Sequence, residues 1–346
     1  MKNWKKTLWK RIQRTGQNTW ASLLYVGGGM LLSAQQPALK FNADKKFKIV
    51  QFSDVHYIEG DPRSAGSLEN IVETLDAENP DFVIITGDVI YGKPAETCMR
   101  AVLKPVSERK IPFAVTYGNH DDEFDMTREE LFTVIQSIPY NLTATTEGIH
   151  GVTNFILPIL SATTGKTAEL LYCFDSNAYS KLEDVKGYDY IRADQIAWYR
   201  AQSESFTRAN GGIPIPSLAF FHIPFPEFNQ ASSDEHAHFC GTRMEAASSP
   251  KLNSGMFVAM KEMKDIEGVF VGHDHDNDYA VQWHGILLAF GRYSGGNTVY
   301  NNLKPNGARI IELTEGVKGF RTYIRLRGGT IINDLKYPEY FTDQKN

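Results

Sequence analysis

Five short blocks of aspartate, asparagine and histidine recur along the chain, each at the end of an apolar run or just after one. They are Asp54-Val55-His56, Gly87-Asp88, Gly118-Asn119-His120-Asp121, His222 and Gly272-His273-Asp274-His275. The first and last blocks each contain a pair of such residues two positions apart, and in extended chain residues at that spacing point to the same side. Carboxylate and neutral imidazole are ligands that suit Zn, Fe or Mn. The five blocks together predict a metal site, although each alone would be weak evidence.

The placement of the blocks indicates how they could converge. Four of them directly end an apolar run and the first follows one closely, so all five are expected where strands emerge into loops. Open α/β sheets place their functional sites at that edge. A lone histidine such as His222 is more often a buried core residue. Its place in an ordered set of five favours a ligand role instead.

The elements that would position these loops alternate in type from residue 47 onwards. Strand-like runs cover 47–53, 81–88 and 112–120, while helical patterns cover Leu68 to Leu75, 95–109 and 127–138. The last of these helices opens with Thr127 and has Glu130 three residues later, which is a capping-box pattern. The alternation predicts a layered α/β domain.

The second half of the chain continues the pattern without a low-complexity linker. Its strand-like runs are TNFILPI, AELLYCFD, SLAFFH and EGVFVGH, and a long helix is predicted over 193–209. After Gly291 the pattern becomes β-rich, and ARIIEL and FRTYIRL are predicted to form a hairpin. We therefore expect one catalytic domain over 46–290, with a β-rich C-terminal extension over 291–346 packed on the same domain.

The first 34 residues differ in composition from the rest. Six basic residues and no acidic one precede the apolar stretch Trp20 to Ala34, which is too short and too rich in glycine to span a bilayer. This pattern predicts a signal peptide over 1–34. The mature protein would then be periplasmic or secreted, with no membrane span. A cytoplasmic protein with a disordered N-terminal tail is the alternative.

Charge and cysteine content narrow the class of protein further. Without its first 34 residues the chain would carry 30 basic and 41 acidic residues, a net charge of about −11. Such a chain is a poor general binder of nucleic acid, so any positive field for phosphate must be local. The three cysteines, Cys98, Cys173 and Cys240, have no close spacing, which argues against a disulfide framework and against a thiolate metal site.

The ordered set D-x-H, G-D, G-N-H-D, H and G-H-D-H resembles the calcineurin-like metallophosphoesterase family over about 46–290. The segments GDVIYG, FFHIPFPEF, SSPKLNSG and VFVGHDHDNDY are similar to its purple-acid-phosphatase-like branch. The resemblance implies a four-layer α/β/β/α sandwich, in which two mixed β-sheets are flanked by helices. It also implies two metal ions, divalent or of mixed valence, at the loop end of the sheets.

The resemblance assigns seven ligands by position. Asp54, His56, Asp88 and His275 would bind one ion, and Asp88, Asn119, His222 and His273 would bind the other. Asp88 would bridge the two ions. Two ions about 3.5 to 4 Å apart would activate a bridging hydroxide for in-line attack on phosphorus. Two divalent ions, two carboxylates and one hydroxide leave a formal charge of +1, which could bind phosphate without a cluster of lysine or arginine.

Three residues beside this set need separate roles. The resemblance leaves His120 as a general acid or as a donor to the transition-state oxygens, with Asp121 orienting it. Tyr91 lies three residues after Asp88, where purple acid phosphatases carry a tyrosinate ligand to ferric iron. Those enzymes lack a ligand histidine at the place of His56, so Tyr91 could be redundant as a ligand here. We favour a packing or supporting role for Tyr91 over metal binding.

The predicted function is hydrolysis of a phosphate monoester on a small phosphorylated substrate. A phosphodiesterase acting on cyclic nucleotides, glycerophosphodiesters or nucleotide-sugars is the alternative among enzymes. A non-catalytic scaffold with the same fold is the alternative from another class. No sequence pattern identifies the substrate-binding residues. Arg292 either holds a substrate phosphate oxygen or is an ordinary surface arginine.

Overall fold

The computed structural model describes residues 37–342, so the predicted signal peptide lies outside the described residues. Fourteen strands lie within this range: β1 (Leu39–Lys40), β2 (Lys46–Phe52), β3 (Phe82–Thr86), β4 (Phe113–Thr116), β5 (Phe155–Leu160), β6 (Thr167–Cys173), β7 (Ser217–Phe220), β8 (Phe239–Cys240), β9 (Ile266–Val271), β10 (Ala280–Trp283), β11 (Ile286–Phe290), β12 (Gly307–Thr314), β13 (Phe320–Leu326) and β14 (Ile331–Tyr337). Seven α-helices accompany them: α1 (Ala65–Glu78), α2 (Ala95–Glu108), α3 (Arg128–Gln136), α4 (Ala193–Ala209), α5 (Glu227–Ser233), α6 (Met256–Met263) and α7 (Glu339–Thr342).

The strands form two mixed sheets. One has eight strands in the order β1-β5-β6-β7-β9-β11-β10-β8, and the other has six in the order β14-β13-β12-β2-β3-β4. Within the six-stranded sheet β2, β3 and β4 are parallel neighbours, and within the eight-stranded sheet β6, β7 and β9 are parallel neighbours. Parallel strands end at the same edge of a sheet, so each sheet gathers its block-bearing loops together.

Three apolar cores give the molecule its four layers. Along β2, Phe47 and Ile49 face the core between the two sheets, while Val50 and Phe52 face the core shared with α1, α2 and α3. Side chains alternate in this way because successive residues of a strand point to opposite faces. A third core packs the outer face of the eight-stranded sheet against helices that include α4 and α6. The predicted four-layer sandwich is confirmed.

Local sequence signals account for several element boundaries. The side chain of Thr127 accepts a hydrogen bond from the backbone N–H of Glu130, and the Glu130 carboxylate accepts one from the N–H of Thr127. This capping box satisfies two backbone donors at the start of α3. The helix predicted over 193–209 is α4. All three cysteines are buried and unpaired, in agreement with the expectation that no disulfide framework is present.

The C-terminal strands belong to the six-stranded sheet. The predicted hairpin is formed by β12 and β13, which pair antiparallel from Gly307↔Leu326 to Leu313↔Phe320. On its other side β12 pairs with β2, so this segment supports the strand that leads into the first block. Within residues 37–342 no helix is both long and apolar enough to cross a membrane.

Candidate metal centre

Each of the five blocks lies in a loop after the end of a strand. The first block follows β2, the second follows β3 and the third follows β4, all in the six-stranded sheet. The fourth follows β7 and the fifth follows β9, both in the eight-stranded sheet. Loops from both sheets therefore build one cluster of side chains.

Six of the seven predicted ligands form two adjacent groups of three. Within each group the possible ligand atoms lie within 4.8 Å of one another. These groups are Asp54, His56 and His275, and Asp88, His222 and His273. The Oδ2 atom of Asp88 lies 3.1 Å from Nε2 of His222 and 3.4 Å from Nε2 of His56, so Asp88 contacts both groups. This grouping parallels the division between two ions that the resemblance implies.

Several buried atoms of the cluster form no hydrogen bond with residues 37–342. The Nε2 atoms of His56 and His273 and the Oδ1 atom of Asn119 are buried and form no hydrogen bond with any of the described residues. A buried polar atom left unpaired costs about 1–3 kcal/mol. Two bound ions would satisfy all three atoms, one ion at His56 and the other at Asn119 and His273, so the donor set fits the metal centre that the resemblance implies.

Outer hydrogen bonds orient two of the imidazoles. Nδ1 of His222 lies 2.8 Å from the backbone oxygen of Thr86, and Nδ1 of His275 lies 2.8 Å from that of Tyr300. A ring nitrogen that donates to a carbonyl leaves the opposite nitrogen free to bind a metal. Both rings therefore present Nε2 to the carboxylates of the cluster.

The aspartates and histidines of the cluster shift one another's pKa values. Burial by itself would raise the pKa of Asp54, but neighbouring histidines lower it to about 2, and the same competition holds the pKa of Asp88 well below its usual range. Burial would lower the pKa of His222, but the two carboxylates raise it to about 9. Burial and the adjacent His222 lower the pKa of His273 to about 3. Both carboxylates and His273 are thus in the ionisation state that metal binding requires.

The raised pKa of His222 predicts a pH-dependent metal affinity. Because His222 holds a proton below about pH 9 in the metal-free protein and must lose it to bind, zinc affinity should rise at least about tenfold per pH unit up to that pH. Competition with a chromophoric chelator at several pH values, corrected for the chelator's own protonation, measures this slope. An affinity independent of pH over this range would contradict the assignment of His222 as a ligand.

The backbone at the cluster adopts left-handed conformations that residues other than glycine rarely adopt. Four of the predicted ligands have positive φ: Asp54 at 55°, His56 at 46°, Asp88 at 49° and His273 at 81°. Such strain costs of order 1–3 kcal/mol per residue and persists only where the surrounding structure enforces it. Its concentration on these residues is typical of a functional site.

The glycine of the third block provides the close approach that this cluster needs. A Cβ atom on Gly118 would overlap with Oδ1 and with the backbone nitrogen of Asp88. Gly118→Ala should therefore displace the Asp88 carboxylate, lower the stability of the protein by about 1–3 kcal/mol and reduce its metal content. Thermal unfolding and elemental analysis after dialysis measure the two effects.

Gly66→Ala is the matched control for this substitution. Gly66 lies within α1, where an added Cβ would meet its nearest neighbours at ordinary van der Waals distances of 3.6 Å and more. This control should leave metal content unchanged. Equal metal content in Gly118→Ala and Gly66→Ala would contradict the steric argument.

The structure corrects the role expected for Asp121. Its carboxylate accepts hydrogen bonds from the backbone N–H groups of Gly118, Asp88 and Val89, so it ties the second and third blocks together. The ring of His120 is contacted instead by Glu123, whose Oε2 lies 2.5 Å from Nδ1. Burial and the charge of Asp88 raise the pKa of Asp121 to about 6. The expectation that Asp121 orients His120 is therefore wrong.

Tyr91 lies beside the cluster with its ring edge-on to two histidines. The ring centroids are 5.3 Å apart for Tyr91 and His56, and 5.1 Å apart for Tyr91 and His120. This packing agrees with a supporting role, which stays a prediction. Tyr91→Phe should leave the visible absorption of the iron-loaded protein unchanged, because the ring and its packing are retained. A band present in the parent and lost in the variant would show that Tyr91 is a ligand.

Other residues behave differently from the sequence-based expectations. Arg292 is buried, pairs with Asp278 at 2.6 Å and donates to backbone oxygens, so it is neither a surface arginine nor a phosphate ligand.

Sequence reasoning missed Glu123 and Tyr179, which contact His120 and Asn119. The spacing of three residues from His120 to Glu123 was an available signal. No sequence signal connects Tyr179 to the cluster.

Comparisons with known proteins agree with this geometry. A family model described as calcineurin-like phosphoesterase matches residues 47–277. The chain is 31% identical to the Arabidopsis thaliana protein named probable inactive purple acid phosphatase 14, over 80% of this chain and 77% of that protein. It is also 31% identical to the phosphatase DCR2 of Saccharomyces cerevisiae, over 82% of this chain and 54% of that protein. In fold it is similar to a dimetal phosphatase from Danio rerio, with a TM-score of 0.58 and 12% identity over 84% of this chain and 98% of that one.

Proposed function

Because the chain belongs to the calcineurin-like phosphoesterase family, we propose that it is a two-metal phosphatase that hydrolyses phosphate monoesters. The observation that carries this proposal is the pair of ligand groups adjoining Asp88, with three buried donor atoms that have no partner among the described residues. Zn, Fe and Mn are the candidate metals, since the donors are imidazole, carboxylate and amide oxygen.

Seven residues of this chain would be metal ligands, and an eighth would be a proton donor. Asp54, His56, Asp88 and His275 would hold one ion, and Asp88 with Asn119, His222 and His273 would hold the other. When bound, the two ions would supply Lewis acidity toward the phosphoryl oxygens and an activated water.

His120 is the proposed general acid. Its side chain is about a quarter exposed, so substrate can reach it, and its backbone N–H donates to Oδ1 of Asp88 at 2.8 Å. This hydrogen bond fixes His120 beside the Asp88 carboxylate, which contacts both ligand groups. From there its Nε2 would donate a proton to the leaving alkoxide.

A non-catalytic scaffold is the competing proposal from another class, because the name of the Arabidopsis relative includes the words probable inactive. The complete ligand set and the presence of His120 support catalysis instead. A scaffold has no need for three buried nitrogen and oxygen atoms that form no hydrogen bond with the described residues, because each such atom costs free energy unless a metal ion satisfies it.

A small phosphorylated substrate fits the charge of the chain better than a nucleic acid does. The net negative charge away from the first 34 residues would weaken binding of long polyanions. Together with the pattern of residues 1–34, this supports a periplasmic or secreted enzyme acting on small phosphate esters.

Paired assays on 4-nitrophenyl phosphate and bis(4-nitrophenyl) phosphate test the preference for monoesters. We expect kcat/KM to be higher for the monoester. A preference for the diester above about tenfold, or about 1.4 kcal/mol in transition-state binding, would favour the phosphodiesterase alternative instead.

A further inference from the structure

We propose that Glu123 and Tyr179 form a positioning pair that fixes the imidazole of His120 and the side-chain amide of Asn119 at the metal centre. The catalytic consequence of this pair rests on the proposed function. Its effect on the geometry of the two side chains can be measured without turnover.

A continuous chain of hydrogen bonds joins the four residues. Nδ1 of His120 lies 2.5 Å from Oε2 of Glu123, and the hydroxyl of Tyr179 donates to Oε1 of Glu123 at 2.9 Å. The Nδ2 group of Asn119 donates to the oxygen of Tyr179 at 3.2 Å. The backbone N–H of Glu123 also donates to the backbone oxygen of His120 at 3.2 Å, which closes the turn between them.

Only one assignment of donors and acceptors is consistent with this series of hydrogen bonds. A carboxylate only accepts hydrogen bonds, so the Tyr179 hydroxyl must donate its single hydrogen bond to Glu123 and can only accept one from Asn119. Glu123 then accepts a hydrogen bond from the Nδ1–H of His120 at its other oxygen.

This assignment has consequences at both ends of the series of hydrogen bonds, at Asn119 and at His120. At one end, Nδ2 of Asn119 is directed outward, which leaves its buried Oδ1 free for a metal ion. At the other end, Glu123 holds the Nδ1 proton of His120, so the second proton of the imidazolium form, which a general acid must carry, is on Nε2 and available to substrate. Hydrogen bonds of this kind typically change metal affinity or activity by 10- to 100-fold when removed.

The pair connects loops from the two sheets at the rim of the centre. Glu123 lies in the loop after β4, whereas Tyr179 lies in the loop after β6. Tyr179 stacks on Tyr188, with ring centroids 5.8 Å apart, and Tyr188 packs edge-on against His273 at 4.2 Å. The phenol of Tyr179 is therefore held by aromatic packing that continues to His273.

The two variants should differ in a way that a general loss of structure would not produce. Glu123→Gln should lower kcat about tenfold with KM within twofold, and with a larger loss on phenyl phosphate than on 4-nitrophenyl phosphate because the poorer leaving group needs the proton more. Its zinc affinity should be unchanged. Tyr179→Phe should lower zinc affinity about tenfold as well as kcat, because it also releases Asn119.

Glu129→Gln is the matched control, since it removes one negative charge from an exposed position six residues after Glu123. It should change neither kcat nor zinc affinity. If Glu129→Gln lowers kcat as much as Glu123→Gln does, the effect comes from net charge and the positioning pair is contradicted.

Nitrogen-15 NMR of the ring of His120 in the zinc-loaded protein tests the pair independently of turnover. We expect the neutral form of the ring in the parent to carry its proton on Nδ1 in a single tautomer, and the neutral ring in Glu123→Gln to show a mixture of tautomers. An unchanged tautomer in Glu123→Gln, or an unchanged zinc affinity in Tyr179→Phe, would overturn the inference. A parent that binds two metal ions and turns over no phosphate ester would contradict the proposed function alone, because the tautomer and the zinc affinity can still be measured.

Discussion

Replacing Asp88 with asparagine should lower kcat/KM for phosphate monoesters by about 10³-fold or more, and should leave fewer than two metal ions per chain. Asp88 belongs to one ligand group and contacts the other, because its Oδ2 lies 3.1 Å from Nε2 of His222 and 3.4 Å from Nε2 of His56. An amide keeps the shape of the carboxylate but has one acceptor oxygen and no charge, so it cannot bridge two cations. Stabilisation of transition-state charge by metal ions is worth several kcal/mol, which corresponds to this loss.

Elemental analysis and steady-state kinetics measure the effect of Asp88→Asn, and circular dichroism checks that the fold is retained. Asp184→Asn is the matched control, because it makes the same chemical change at an exposed position in a loop. It should retain two ions and full activity. An Asp88→Asn protein that keeps both ions and loses less than about tenfold in kcat/KM would show that Asp88 does not bridge.

Replacing His120 with asparagine should lower kcat by about 10²- to 10⁴-fold while both metal ions stay bound. The substitution retains the hydrogen bond from the backbone N–H of this residue to Asp88, and the ring that it removes is about a quarter exposed toward solvent. The loss should therefore be one of proton transfer. It should grow as the leaving group becomes poorer, from 4-nitrophenyl to phenyl phosphate.

His236→Asn is the control for His120→Asn, since His236 is exposed on a loop. Activity and metal content should both be unaffected in the control. Loss of metal from His120→Asn would place this histidine among the ligands, where it already shares a group with His56 and Asp88. An equal loss for both leaving groups would contradict its role as the general acid.

The strands and helices that carry the site could be predicted because their apolar patterns are strong. β2 and α4 follow their predicted runs to within a residue at each end. The glycine before each of Asp88, Asn119 and His273 also had a physical meaning that the sequence alone did not reveal. A side chain at Gly118 or Gly272 would overlap with the carboxylate of a predicted ligand.

The parts that could not be predicted depend on contacts between distant segments. Asp121 follows His120 in sequence, yet its side chain turns to the backbone of the second block, 33 residues earlier at Asp88. Tyr179 reaches the cluster from the other sheet, 60 residues after Asn119. Both roles weighed for Arg292, phosphate binding and a surface position, require an accessible side chain, but it is buried against Asp278. Adjacency in sequence does not specify any of these pairings.

The most direct test of the central claim is turnover by the protein reconstituted separately with Fe, Zn and Mn, measured together with the number of bound ions. A screen of phosphorylated metabolites and 4-nitrophenyl phosphate on each form should show two ions per chain and hydrolysis of monoesters by at least one form. The activity should be lost in His120→Ala at the same metal content. Full occupancy by two ions with no turnover by any form of the parent protein would contradict the account and favour a scaffold.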